Sequence, residues 1–72
     1  NMKTLNLKAN TPHQVYKSRI GIVAPAATTL EYSADGVTYS TWKDTLEEGN
    51  NVINNAPDGL YIKFNKDVVI CY

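Results

Sequence analysis

Apolar and polar residues alternate in short runs along most of the chain, and no stretch repeats apolar residues at helical spacing for any convincing length. A period of two places every second side chain on one face of an extended strand. This patterning therefore predicts half-buried β-strands and argues against a helical bundle. Leu5, Leu7 and Ala9 alternate with Asn6 and Lys8 as a first strand, which Asn10-Thr11-Pro12 breaks. His13 to Ala24 is the longest β-like segment. One face carries Tyr16, Ser18, Ile20, Ile22 and Ala24; the other carries Val15, Lys17, Arg19, Gly21 and Val23. Gly21 in its middle predicts a bulge or a close backbone approach, and Pro25-Ala26-Ala27 ends it.

The strongest local signal lies at residues 29–42. Thr29 to Ser33 reads as a strand, Ala34-Asp35-Gly36 as a turn and Val37 to Trp42 as the return strand, with Gly36 supplying a positive φ. Lys43 to Asn51 reads as an acidic loop with at most one helical turn at Thr45–Glu48. Val52-Ile53 is a short strand, and Ala56-Pro57-Asp58-Gly59 is a turn. Leu60, Ile62 and Phe64 then alternate, Asn65-Lys66-Asp67 turns, and Val68 to Tyr72 closes a second expected hairpin. That final strand is expected either at a sheet edge or paired with a neighbouring chain. The expectation is one all-β domain over residues 1–72, a small antiparallel sandwich or barrel of six to seven short strands.

Size makes stability the next constraint. A domain of 72 residues buries only about 60% of the surface its unfolded chain exposes. Cores this small usually need a disulfide, a metal or a partner subunit. Cys71 is the single cysteine, so no internal disulfide forms, and one Cys with one His (His13) makes no zinc ligand set. Neither metal nor cofactor is expected, which leaves association as the missing support. Seven Lys plus Arg against seven Asp plus Glu give zero net charge. That balance disfavours a nucleic-acid binder and removes the repulsion that keeps small proteins apart. No apolar run reaches the roughly 18 residues that span a bilayer, and no signal-peptide pattern is present. Asn1 reads as an appended residue before a natural start at Met2.

The residues supply little catalytic chemistry. Cys71 and His13 are the only pair with nucleophile–base character. Cys71 lies among Val69, Ile70 and Tyr72, where it reads as a small buried hydrophobe, and His13 as a solvated strand-entrance residue. Asp35 and Asp58 each precede Gly in a turn, where their side chains serve the local backbone. Glu47 and Glu48 read as a solvated acidic patch, and Lys17 and Arg19 as a small basic one. The four glycines are too dispersed to cradle a phosphate. The chain is therefore read as a non-enzyme. Its aromatics are five Tyr, one Trp and one Phe, a Tyr-rich set suited to interfaces. Trp42 reads as a core residue, an interface anchor, or a sugar-stacking platform with Tyr39 or Tyr61.

The segment Leu30-Glu31-Tyr32-Ser33-Ala34-Asp35-Gly36-Val37-Thr38-Tyr39-Ser40-Thr41-Trp42 resembles the Tyr-Ser-x-Asp-Gly-x-x-Trp hairpin of modular β-sandwiches. Those include discoidin-like and fibronectin-like adhesion modules and small bacteriophage virion domains. Here Tyr39 stands where that pattern often has Trp. Pro57-Asp58-Gly59-Leu60-Tyr61 resembles a Pro-x-Gly-x-Tyr strand start of the same modules, so the resemblance spans residues 29–64. Abundant Asn and Thr are similar to head-decoration and head-fibre proteins. The resemblance implies a structural β-domain, a homo-oligomer with a trimer favoured. Its partner would be a capsid or fibre protein; it would work on the virion and assemble in host cytoplasm. Candidate contact residues are Tyr16, Ile20, Ile22, Tyr39, Trp42 and Tyr61, with Leu5 and Leu7 of the first strand covering a neighbour's edge. Alternatives are a carbohydrate- or receptor-binding module using exposed aromatics, or a small inhibitor of a host protein.

Overall fold

A computed structural model describes residues 2–72; the reading of Asn1 lies outside the described residues. Eight strands form: β1 (Thr4–Leu7), β2 (His13–Val15), β3 (Ile20–Ala24), β4 (Leu30–Ser33), β5 (Ser40–Thr41), β6 (Gly49–Ile53), β7 (Leu60–Phe64) and β8 (Val68–Cys71). They build two four-stranded antiparallel sheets. Sheet A runs β1-β8-β3-β6 and sheet B runs β2-β7-β4-β5. The all-β sandwich expectation holds, with eight strands instead of six to seven. The extra strand arises because the segment from His13 to Ala24 is two strands in different sheets. Val15 and Ile20 are both buried although an odd number of residues apart, so the inward phase flips across the exposed 16–19 link.

Pairing follows one rule. The first strand pairs with the last, β2 with β7, β3 with β6 and β4 with β5. The chain is thus one antiparallel ribbon doubled back at the β4–β5 hairpin. It is wound so that β8 also meets β3 and β7 also meets β4. This is the wiring of an eight-stranded jelly roll. It corrects two expectations. The β7 and β8 strands do not form a hairpin: Asn65-Lys66-Asp67 carries the chain from sheet B to sheet A. And β8, which ends at Cys71, is neither an edge nor free for a neighbour, because β1 and β3 flank it.

Inward residues of both sheets form one core. Leu7, Ile20, Ile22, Ala24, Val68 and Ile70 come from sheet A; Val15, Leu30, Ile62 and Phe64 come from sheet B. Leu46 joins from the segment read as an acidic loop with a helical turn. No helix forms there; Thr28 and Leu46 exchange backbone hydrogen bonds at 2.9 and 2.8 Å, which pins Leu46 into the core. The expected β4–β5 hairpin is present but short. Only Glu31↔Thr41 and Tyr32↔Ser40 pair, leaving Ala34–Tyr39 as a six-residue loop.

Candidate interaction surface

Alternation along sheet A puts Thr4 and Asn6 of β1, Val69 and Cys71 of β8, Gly21 and Val23 of β3, and Asn50 and Val52 of β6 on the outer face. None carries a charge. Val23 and Val52 are exposed, Val52 by half its surface. The register stacks them: Val23 lies beside Val69 and Asn50, and Gly21 lies between Cys71 and Val52. A Cβ on Gly21 would meet the Cys71 Cβ at 3.4 Å. Gly21 therefore marks the close approach expected of it, in unbroken register and without a bulge. Its missing side chain leaves a shallow depression bordered by Met2, Arg19, Val52 and Cys71. Cys71 is half-buried on this face rather than inside the core.

The outer face of sheet B is different. It carries Gln14, Glu31, Lys63 and Tyr61, and the 34–39 loop folds over part of it. Gly36, at φ 78°, sits against the Tyr61 ring, where a Cβ would lie 3.1 Å from a ring carbon. The Lys63 ammonium stands 4.2 Å from the centre of the Tyr39 ring, a cation–π contact. Asp35 organises the loop. Its Oδ1 accepts hydrogen bonds from the amides of Thr38 (3.0 Å) and Val37 (2.9 Å) and from the Ser33 hydroxyl (2.8 Å). These donors, Thr38 first, lower its pKa to about 2. The Ser33 Oγ in turn accepts from the Gly36 amide at 2.8 Å.

The six candidate contact residues do not form one site: Ile20, Ile22 and Trp42 line one cleft, and Tyr16, Tyr39 and Tyr61 lie elsewhere. Tyr16 is exposed on the 16–19 link. Ile20 and Ile22 are 2% and 1% exposed: they point inward, which removes them from the outer face of sheet A, where Gly21 and Val23 stand instead. Leu7 is buried as well; β1 pairs with β8 on one side and forms an edge of sheet A on the other. Tyr39 and Tyr61 lie at the loop over sheet B. Trp42 is half-buried and meets Tyr32 edge-to-face at 5.9 Å. Both line an apolar cleft of ≈ 230 Å³ between the sheets, together with Ile53, Leu60 and Ile62. His13 lies in sheet B, 6.0 Å from the Tyr72 ring, so it and Cys71 belong to different sheets.

Among the described residues, no three His, Cys, Asp or Glu side chains group to hold a metal ion, and no helix is long and apolar enough to cross a membrane. Val23, Val52 and Val69 were the residues sequence reasoning passed over. Their one signal was an apolar residue at a position the alternation assigns to the outside. Comparison with protein-family models, curated proteins and solved structures finds no match to this chain.

Proposed function

We propose that this chain is a non-enzymatic structural protein that assembles with copies of itself through the outer face of sheet A, as a bacteriophage head-decoration or fibre component would. The observation that carries this reading is the uncharged face itself. Charged residues make up 19% of the chain and concentrate on surfaces, yet all eight outward positions of sheet A lack them. The jelly-roll wiring supports the reading less specifically, since capsid proteins, lectins and cupins all use it.

Area bears on how many copies associate. At a spacing of about 4.8 Å between strands and a rise of about 3.3 Å per residue, the face projects roughly 300 Å². Specific interfaces bury about 800 Å² per partner, so a single such contact is weak. A single self-complementary face closes as a two-fold dimer, whereas a ring uses two different patches on each subunit; the trimer reading therefore calls for a second contact beside this face. On this reading the chain works on the virion after assembling in host cytoplasm, with a capsid or fibre protein as second partner. A sugar-binding platform built on Trp42 would want a flat exposed ring, and Trp42 is half-buried against Tyr32.

Light scattering coupled to size-exclusion chromatography tests assembly. The expected mass is three times 8.0 kDa. Val52→Lys, which puts an ammonium on the face, is expected to return it to one copy with an unchanged circular dichroism spectrum. Val37→Lys, on the exposed loop tip, is expected to leave assembly intact. A single-copy mass for the unaltered chain at its highest soluble concentration rejects the reading.

A further inference from the structure

We propose that the cleft between the sheets beside Trp42 is a binding site for a small, neutral, apolar molecule, an aromatic ring with a short alkyl substituent being the best fit. Three observations converge on it. First, no charged residue lines the cleft; its only polar side-chain groups are the Asn54 and Asn55 amides, the Tyr32 hydroxyl and the Trp42 indole N–H. A carboxylate or ammonium entering it would lose its hydration with no opposite charge to replace it. Second, the edge of the core is incomplete here. Five half-buried hydrophobic residues pack against the core, and four of them, Tyr32, Trp42, Ile53 and Leu60, line this cleft. Third, the local strand arrangement explains the gap. The edge strand β5 is only two residues long, so sheet B stops short where Ile53 of β6 reaches inward from sheet A.

Size sets the ligand. An apolar cavity of about 150 Å³ stays dry and accepts benzene. A cleft of ≈ 230 Å³ has space for about eight to ten non-hydrogen atoms by the same scale. The lining residues Ile20, Ile22, Leu30 and Ile62 belong to the inner faces of the two sheets. Assembly through the outer face of sheet A therefore leaves the cleft open, and the two proposals stand or fall separately.

Titration of the isotopically labelled full chain with p-xylene, followed by methyl NMR, tests the site. The expected result is saturable shifts at the methyl groups of Ile20, Ile53 and Leu60, a rise in melting temperature, and at least tenfold weaker binding of the charged analogue 4-methylbenzoate. Ile53→Phe, which fills the mouth with a ring from the chain itself, is expected to abolish the shifts. Repeating the titration on Val52→Lys separates the site from assembly. Three outcomes overturn the proposal: no saturable shift in the unaltered chain, equal binding of the carboxylate, or cleft methyl shifts that follow protein concentration alone. The last would mean that a second copy fills the cleft.

Discussion

Asp35 accepts hydrogen bonds from the Thr38 and Val37 amides and the Ser33 hydroxyl, which ties a six-residue loop into one unit. All three donors favour the ionised carboxylate, so its pKa falls from an ordinary 3.8 to about 2 in the folded chain. Because the folded value is the lower one, the carboxylate's contribution is complete above about pH 3.8. It is lost as the pH falls through about 2. The loop amides of Val37 and Thr38 are therefore expected to titrate in NMR spectra with a midpoint near 2, and Asp35→Asn to remove that titration. A midpoint at the ordinary carboxylate value would show that these hydrogen bonds do not hold the charged form. The sequence already carried this residue's role: an Asp before Gly in a turn serves its own backbone. What it did not carry was the loop's reach, since Gly36 lies against Tyr61 of β7, far along the chain.

Between β7 and β8, three residues decide which sheet the chain enters. The Asn65 Oδ1 accepts from the Thr29 amide at 2.8 Å, and the Asn65 amide donates to the Thr29 carbonyl at 3.2 Å, so Asn65 is tied to the start of β4 in sheet B. Two residues on, the Asp67 Oδ1 accepts from the Ala9 amide at 2.8 Å, just past β1 of sheet A. That amide, with Lys8 at 3.5 Å, holds the Asp67 carboxyl below its ordinary pKa. Local sequence cannot tell such an arch from a hairpin. Both need a tight polar turn, and in both Ile62, Phe64, Val68 and Ile70 are buried in the core. That Ile20, Ile22 and Ala24 share one face was legible in their alternation, but not that the face is the core side, since the same pattern also reads as a contact face. The outer face of sheet A was not legible, because Val23, Val52, Val69 and Cys71 come from three strands and each stands next to an inward apolar residue, so only the pairing register brings them together. Trp42 was legible as an important aromatic, yet its cleft depends on how short β5 turns out to be. The arch makes a specific demand on Asn65. Asn65→Ala is expected to cost about 1 kcal/mol for the lost acceptor, measured by urea unfolding. Asn65→Asp, which keeps an oxygen there, is expected to cost clearly less. Equal losses would mean that the Thr29 amide is not what the side chain serves.

Nested pairing of the whole ribbon governs how the molecule reaches its fold. Thr4 pairs with Cys71 and His13 with Ile62; of the four ribbon pairs, only β4 with β5 joins neighbouring strands across a short loop. Loop-closure entropy must be met before distant pairs contribute, so chains dominated by distant pairing fold in milliseconds to seconds despite small size. The β4–β5 hairpin is the one element that forms without that cost, and it is the expected starting point. β8, which needs both β1 and β3, is expected to join late. These positions make opposite kinetic predictions. Gly36→Ala forces an L side chain to φ 78° against the Tyr61 ring, at a cost of about 1–2 kcal/mol, and is expected to slow folding. Ile70→Val trims a fully buried β8 side chain, costing about 0.5–1.5 kcal/mol, and is expected mainly to speed unfolding. Stopped-flow fluorescence of Trp42, run on the Val52→Lys background so that assembly does not enter, measures both limbs. If Ile70→Val slowed folding while Gly36→Ala acted only on unfolding, the ribbon would close from its ends, and the hairpin would be a late ornament of the fold rather than its seed.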